Sequence, residues 1–265
     1  AGVEEGMTVD VVDRRVAPCA VDPDADLAWL RDYQRAAYDK AVERGSGILA
    51  LVTGAGKSEI AIALARALPC EWLFVAPSID LVKQMAERWE RRDLEHGVGL
   101  GPAGVIGEGT WTEGARLTCA TYQTLVRRVK DGDARATALV GRVGGFVFDE
   151  AHTLPAAEAY ALSMRVGAYF RFGLSGTPLD RGDRRSVLAI AALGPVIARV
   201  RAPELVEQGA IARAHVRMHR VVQRGSLSYA EAYERFVVAS TVRNKKLVDV
   251  VRAAPKPCMV FVKLL

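Results

Sequence analysis

Residues 51–60 read LVTGAGKSEI, and the fold turns on this stretch. An apolar run, Ile48 to Val52, leads into Gly54-Ala55-Gly56-Lys57-Ser58. A helical pattern with Ile60, Ile62, Leu64 and Leu68 follows and stops at Pro69. Strand, glycine loop and helix in that order form a cradle for a phosphate chain. The glycines let backbone N–H groups approach phosphate oxygens without side-chain clash, and the helix N-terminus adds the positive end of its dipole. Lys57 is placed to reach the β- and γ-phosphates, and the Ser58 hydroxyl to ligate Mg2+. The full form of the pattern opens with a glycine where Leu51 stands here. The match is therefore to the shortened Thr53-Gly54-Ala55-Gly56-Lys57-Ser58 form.

On either side, short apolar runs alternate with helical patterns. Helical spacing runs from Leu27 through Val42 and ends at Gly45-Ser46-Gly47. Trp72 to Ala76, Val105-Ile106, Leu117 to Ala120, Phe146 to Phe148 and Phe170 to Leu174 read as buried strands. Ile79 to Trp89 and Thr121 to Lys130 read as helices. Such alternation predicts an α/β fold, a parallel sheet with helices on both faces. Chemistry in such folds sits at the carboxyl ends of the strands. Three polar signatures fall at such ends: 53–58, Asp149-Glu150-Ala151-His152 and Ser175-Gly176-Thr177-Pro178. A carboxylate ending an apolar strand, as Asp149 does, can hold Mg2+, and the next one, Glu150, can orient and deprotonate an attacking water.

The chain has 265 residues and a net charge of +5, half of them hydrophobic, enough for one large domain and part of another. No apolar run approaches the roughly 18 to 20 residues that span a bilayer. The four cysteines are scattered without a Cys-x-x-Cys pair, so neither a zinc ribbon nor a disulfide framework is expected, and a reducing, cytoplasmic or nucleoid-associated setting fits. The mild positive charge permits a polyanionic partner without requiring one.

Taken together, these motifs resemble the superfamily-two helicases and translocases with a DEAH-type box, built from two RecA-like domains. LRDYQRAAYDK (30–40) is similar to the segment that carries an adenine-reading glutamine, here Gln34 with Arg31 and Tyr33 beside it. TGAGKS (53–58), VAPSIDLVKQ (75–84), TCATYQTL (118–125), FVFDEAH (146–152), LSGTP (174–178) and CMVFVK (258–263) follow in the family's order. The resemblance implies ATP and Mg2+ as cofactors. Lys57 and Ser58 would hold phosphate and metal, Asp149 would position Mg2+, and Glu150 would be the catalytic base. His152, Ser175 and Thr177 would couple nucleotide state to the nucleic-acid side. Ser78 and Thr121 would touch one strand's phosphate backbone, although both positions also suit ordinary helix N-caps.

The same resemblance implies a RecA-like ATP-binding domain over 27–200, preceded by a leader or the end of an upstream region (1–26). It is followed by a linker and the incomplete start of a second RecA-like domain (201–265). In the residues themselves, His215 to Val222 alternates like a strand, Tyr229 to Val251 is largely helical and Cys258 to Val262 reads as a buried strand. In the family a second domain supplies arginines to the γ-phosphate, worth about 10³ to 10⁵ in rate. The expectation is that these residues alone bind ATP and turn it over slowly.

The partner implied is nucleic acid, DNA ahead of RNA, with further proteins possible in a larger assembly and no membrane. Helicase, duplex translocase without strand separation, and nucleotide-gated binding subunit all remain open. A GTPase is disfavoured because no Asn-Lys-x-Asp is present. His215 and His219 sit four apart on a strand-like pattern and make a poor metal pair. Trp89 and Trp111 read as packing residues more than as base-stacking platforms, and Arg181, Arg184 and Arg185 as a solvated loop.

Overall fold

In a computed structural model of the chain, the strands foreseen above are buried on both faces, and this decides the layering. The structure describes residues 13–96, 99–154, 156–176, 186–213, 216, 218–220, 227–255 and 259. In chain order the elements are α1 (Asp32–Arg44), β1 (Ser46–Leu51), α2 (Lys57–Ala67), β2 (Trp72–Ala76) and α3 (Ile79–His96). Then come β3 (Gly104–Gly107), β4 (Thr110–Trp111), β5 (Leu117–Thr121), α4 (Tyr122–Lys130), α5 (Ala134–Arg142) and β6 (Gly145–Phe148). The series closes with α6 (Ala157–Arg165), β7 (Phe170–Ser175), α7 (Ser186–Leu193), β8 (Val196–Val200) and α8 (Ala202–Glu207).

The strands form one sheet in the order β4-β3-β5-β2-β6-β7-β1-β8. Only the short β4 runs antiparallel, on β3; the other described pairings are parallel. Leu49, Leu51, Phe74, Phe172 and Leu174 pack with residues of α1, α2 and α3 on one face. Ile48, Val75, Phe146 and Phe148 pack with α4 to α7 on the other. β2, β5 and β6 are buried along their whole length, which is why β2 and β6 carry no polar side chain but the Trp72 indole N–H and β5 only two threonines. Residues Ile60 to Ala67 of α2 are all buried, so α2 carries no polar face.

The contacts divide into two units between Ala212 and Arg213. The first runs on past residue 200 because Leu205 is fully buried and Ala210 and Ile211 pack on the core. Residues 13–26, part of the segment read as a leader or the end of an upstream region, are tied to this unit. Val16 N donates to Gly167 O at 2.7 Å, Asp22 N to Ala67 O at 2.7 Å, and Asp26 meets His96 at 2.7 Å. The described cysteines, Cys19, Cys70 and Cys119, are free thiols.

The second unit holds α9 (Tyr229–Tyr233), a π-helical turn (Glu234–Val238) and α10 (Thr241–Ala253). Residues 229–251, expected to be largely helical, are so, with a break at Ala239-Ser240. Ser240 caps a new helix by accepting from Arg243 N at 3.2 Å. Of the strand expected at 258–262 only Met259 is described, and of that at 215–222 only Val216 and Met218 to Arg220, none of them in a strand; His215 lies outside the described residues. His219 is exposed. Among the described residues no cluster of three or more metal-ligating side chains occurs, and no helix is long and apolar enough to cross a membrane.

Two glycines test the packing in opposite directions. A Cβ at Gly145 would overlap the Trp72 ring, whereas one at Gly141, in α5, meets nothing within 4 Å. Gly145→Ala is expected to lower unfolding free energy by about 1–3 kcal/mol. Gly141→Ala is expected to raise it by about 0.5–1 kcal/mol. Urea titration of both variants checks the pair.

Candidate functional site

β1 ends at Leu51, and the loop to α2 turns back on itself through glycines in the left-handed region. Gly54 has φ 85° and Gly56 φ 75°, which a side chain would oppose. Ala55 N donates to Val52 O at 3.0 Å and closes the turn. The Ala55 carbonyl accepts two bonds from α1's first turn, from Gln34 Nε2 at 2.9 Å and from Tyr33 Oη at 3.1 Å. Gln34 Oε1 accepts from Arg31 N at 3.0 Å, so both ends of its buried amide are engaged. Arg31 and Tyr33 line an open cavity of about 490 Å³ with Asp32, Gln208, Gly209 and Ala210. The glutamine segment foreseen from sequence therefore does two things: it braces the glycine loop and forms one wall of the adjoining cavity. Tyr33's hydroxyl bond was not foreseen; tyrosine directly before the glutamine was its only signal.

Lys57 opens α2, and its Nζ lies 3.4 Å from Leu51 O. Ser58 follows, half-buried, in the same first turn. Two strands along, β6 delivers Asp149, whose backbone N–H donates to Val75 O at 2.8 Å. Its side chain accepts from Glu150 N at 3.0 Å. Burial pushes the Asp149 carboxyl up to about 6; Glu150's charge adds to the rise, while the Glu150 N–H, Lys57 and His152 oppose it. Glu150 itself takes a left-handed conformation, φ 51° and ψ 51°, rare for a non-glycine residue. That twist ends the strand and brings Glu150 Oε2 within 3.2 Å of His152 Nδ1.

β7 lies between β6 and β1 and ends in the buried Ser175. Gly176 follows against the glycine loop. A Cβ there would lie 2.9 Å from Thr53 Oγ1 and 3.1 Å from Lys57 Nζ. Lys57, Asp149 and Glu150 are thus gathered with Ser175 and Gly176 at one edge of the sheet. Thr177, with Arg181, Arg184 and Arg185, lies outside the described residues.

Ser78 and Thr121 stand at the same carboxyl edge, after β2 and at the end of β5. Ser78 Oγ accepts from Leu81 N at 3.4 Å, a helix cap. Thr121 Oγ1 bonds Thr124 Oγ1 at 2.8 Å, and no side-chain cap bond forms at α4. Gln123 Nε2 donates to Pro77 O at 2.9 Å and joins the two loops, a link the sequence reading did not include. Trp89 is buried, with Nε1 donating to Gly101 O at 2.9 Å. Trp111 is half-buried, with Nε1 on Glu113 Oε1 at 2.6 Å and the guanidinium groups of Arg128 and Arg135 over its ring. Both tryptophans are held by packing.

Comparison with known proteins places this geometry. The family model described as "Type III restriction enzyme, res subunit" matches residues 28–180. A "DNA 3'-5' translocase XPB2" of Sulfurisphaera tokodaii is 32% identical over 68% of this chain and 38% of its own length. A "DNA 3'-5' helicase XPB" of Mycobacterium tuberculosis is 34% identical over 82% of this chain and 39% of its own length. The chain thus spans about two fifths of these relatives. Among solved structures, the helicase domain of Hef from Pyrococcus furiosus superposes with TM-score 0.53 at 23% identity, covering 69% of this chain and 41% of that one. The UvsW helicase of bacteriophage T4 gives 0.50 at 23%, covering 70% and 64%. These two likenesses establish a shared fold.

Asp149 keeps its proton in the fold at pH values where the unfolded chain has lost it. Its contribution to stability is therefore greatest below about pH 4, falls as pH rises through about 6, and is flat above; the whole fall is ~3 kcal/mol. Chemical denaturation of the metal-free protein from pH 4 to 8 is expected to show this slope, and Asp149→Asn to remove it.

Proposed function

We propose that this chain, which belongs to the type III restriction enzyme res-subunit family and with it to the superfamily-two helicases and translocases, is the ATP-binding part of a DNA motor. The observation that carries the reading is the meeting of the Gly54–Ser58 loop with Asp149, Glu150 and Gly176 at one sheet edge. On this reading residues 27–200 form the first RecA-like domain and residues from 201 lead into a second.

The chain's own residues divide the work as follows. The backbone N–H groups of Gly54 to Lys57 and the start of α2 would cradle the phosphates, and Lys57 would neutralise the outer ones. The cavity walled by Arg31 and Tyr33 would take the adenine, so base binding and loop position share the Gln34 and Tyr33 bonds. Asp149 fits a divalent cation: its carboxyl is buried, with Lys57 and His152 felt only through space. With the Ser58 hydroxyl it would hold Mg2+, which when bound neutralises charge on the phosphates. Glu150 would take a proton from water as the water oxygen bonds to the γ-phosphorus and the bond to the ADP oxygen breaks. His152, 3.2 Å from Glu150, with Ser175 and Thr177 of the next strand end, would couple that event to the loops bearing Ser78 and Thr121.

Backbone contacts of that kind carry no sequence information, which suits a protein that moves along its track. The names of the relatives, helicase and translocase, support DNA as the track and movement as the output. Whether strands separate is read from strand displacement run beside ATP turnover on the same duplex.

Lys57→Ala is expected to lose ATP binding. Glu150→Gln is expected to keep ATP binding and lose turnover by about 10²- to 10⁴-fold. ATP hydrolysis by the full-length protein, alone and then with single-stranded DNA, duplex DNA, branched DNA and RNA, checks both variants. Equal turnover with and without every nucleic acid would sink the motor reading.

A further inference from the structure

Ser175, Ala50 and Arg199 lie in one row across three adjacent strands. Ala50 is in register with Ser175 of β7 on one side and with Arg199 of β8 on the other. Residues in register on parallel strands point to the same face of the sheet. Arg201 follows two residues later in extended backbone, φ −98° and ψ 155°, and points to that face as well.

Because the middle of the row is only alanine, it leaves a hollow. A cavity of about 370 Å³ opens there, lined among others by Ala50, Val52, Ser175, Gly176, Arg199 and Arg201. Among the described residues its lining includes two arginines and no acidic residue. Neither arginine is paired with a described carboxylate, in contrast to Arg92, Arg128 and Arg142. Gly176 is the partition between this hollow and the lysine end of the phosphate loop. It has no side chain, and a Cβ there would be 3.1 Å from Lys57 Nζ.

We propose that the hollow is a holding site for inorganic phosphate leaving the γ-position. The proposal rests on the ATPase reading above. A free phosphate is a compact oxyanion that takes charge-assisted hydrogen bonds from guanidinium forks. A nucleic-acid backbone offers similar oxygens. Position separates the two: β6 and β7 stand between β1 and β2, so the hollow adjoins Lys57 and lies apart from Ser78 and Thr121. Arg199 and Arg201 accordingly act after bond cleavage, on the product.

The test uses the full-length protein, its Arg199→Gln/Arg201→Gln double variant, and Ala50→Val, which fills the floor of the row and keeps both charges. Inorganic phosphate is added to steady-state ATP turnover, and its binding to the ADP-loaded protein is measured separately by titration calorimetry. In the double variant the phosphate Ki and Kd are expected to rise about tenfold or more, as loss of charged hydrogen bonds implies. The KM for ATP and the circular dichroism spectrum stay unchanged, and Ala50→Val gives a smaller rise.

Equal phosphate Ki and Kd in wild type and variant overturn the proposal, as does a wild-type protein that binds no phosphate. A matching rise in KM for ATP overturns it by placing the arginines on the triphosphate. Loss of DNA affinity with phosphate binding intact overturns it in favour of a backbone contact. If the protein hydrolyses no ATP under any condition, it is the ATPase reading that fails. The calorimetric arm then still decides whether the hollow binds phosphate.

Discussion

A parallel sheet covered on both faces has only its strand ends available for charged chemistry, and the placement of the candidate site follows from that constraint. β2, β5 and β6 admit no polar side chain to solvent along their length apart from threonines folded into the core. Charged groups must wait until the strand stops. The parallel direction then puts all those stops on one edge. The glycine loop, Asp149 with Glu150, Gly176, Ser78 and Thr121 are far apart in sequence, yet they share that edge because their strands run the same way.

Within that edge the shape of the phosphate loop is set from outside the loop. Two glycines with positive φ make the turn possible, and the Ala55 carbonyl, held by Gln34 and Tyr33, selects which turn is made. A loop with open glycines and no such bracing would lose more conformational entropy on meeting a ligand. The bracing side chains come from α1, the wall of the neighbouring cavity. Tyr33 thus lines that cavity and bonds the loop as well.

The sequence made the central strands legible because short, mostly apolar runs of three to five residues between helical patterns have few other readings. It made the glycine loop and the acid pair legible because each combines residue types that a structural role alone does not require together. Other elements escaped it. α5 (ARATALVGR) and α6 (AEAYALSMR) are nine residues each and alanine-rich, so their amphipathic stripe is short. α7 is apolar nearly throughout and has no stripe to detect. β8 (VIARV) carries an arginine where a buried strand would have an apolar residue, because it is an edge strand. Bonds such as Tyr33 to Ala55 or Gln123 to Pro77 join positions set by the tertiary fold, and local pattern has no access to them.

The strand order bears also on when the site comes into existence. β1 is made early in the chain but is flanked by β7 and β8, the last strands of the sheet; Ser46 faces Arg171 and Leu51 faces Val200. The intervening strands can pair among themselves first, while β1 must wait for partners that close very long loops, a slow step in any fold. The glycine loop hangs from the end of β1, and Val52 N, which donates to Val200 O at 3.2 Å, finds that partner only then. On the ATP-binding reading proposed above, a half-made chain carries the binding sequence in full while the strand that bears it still lacks both neighbours.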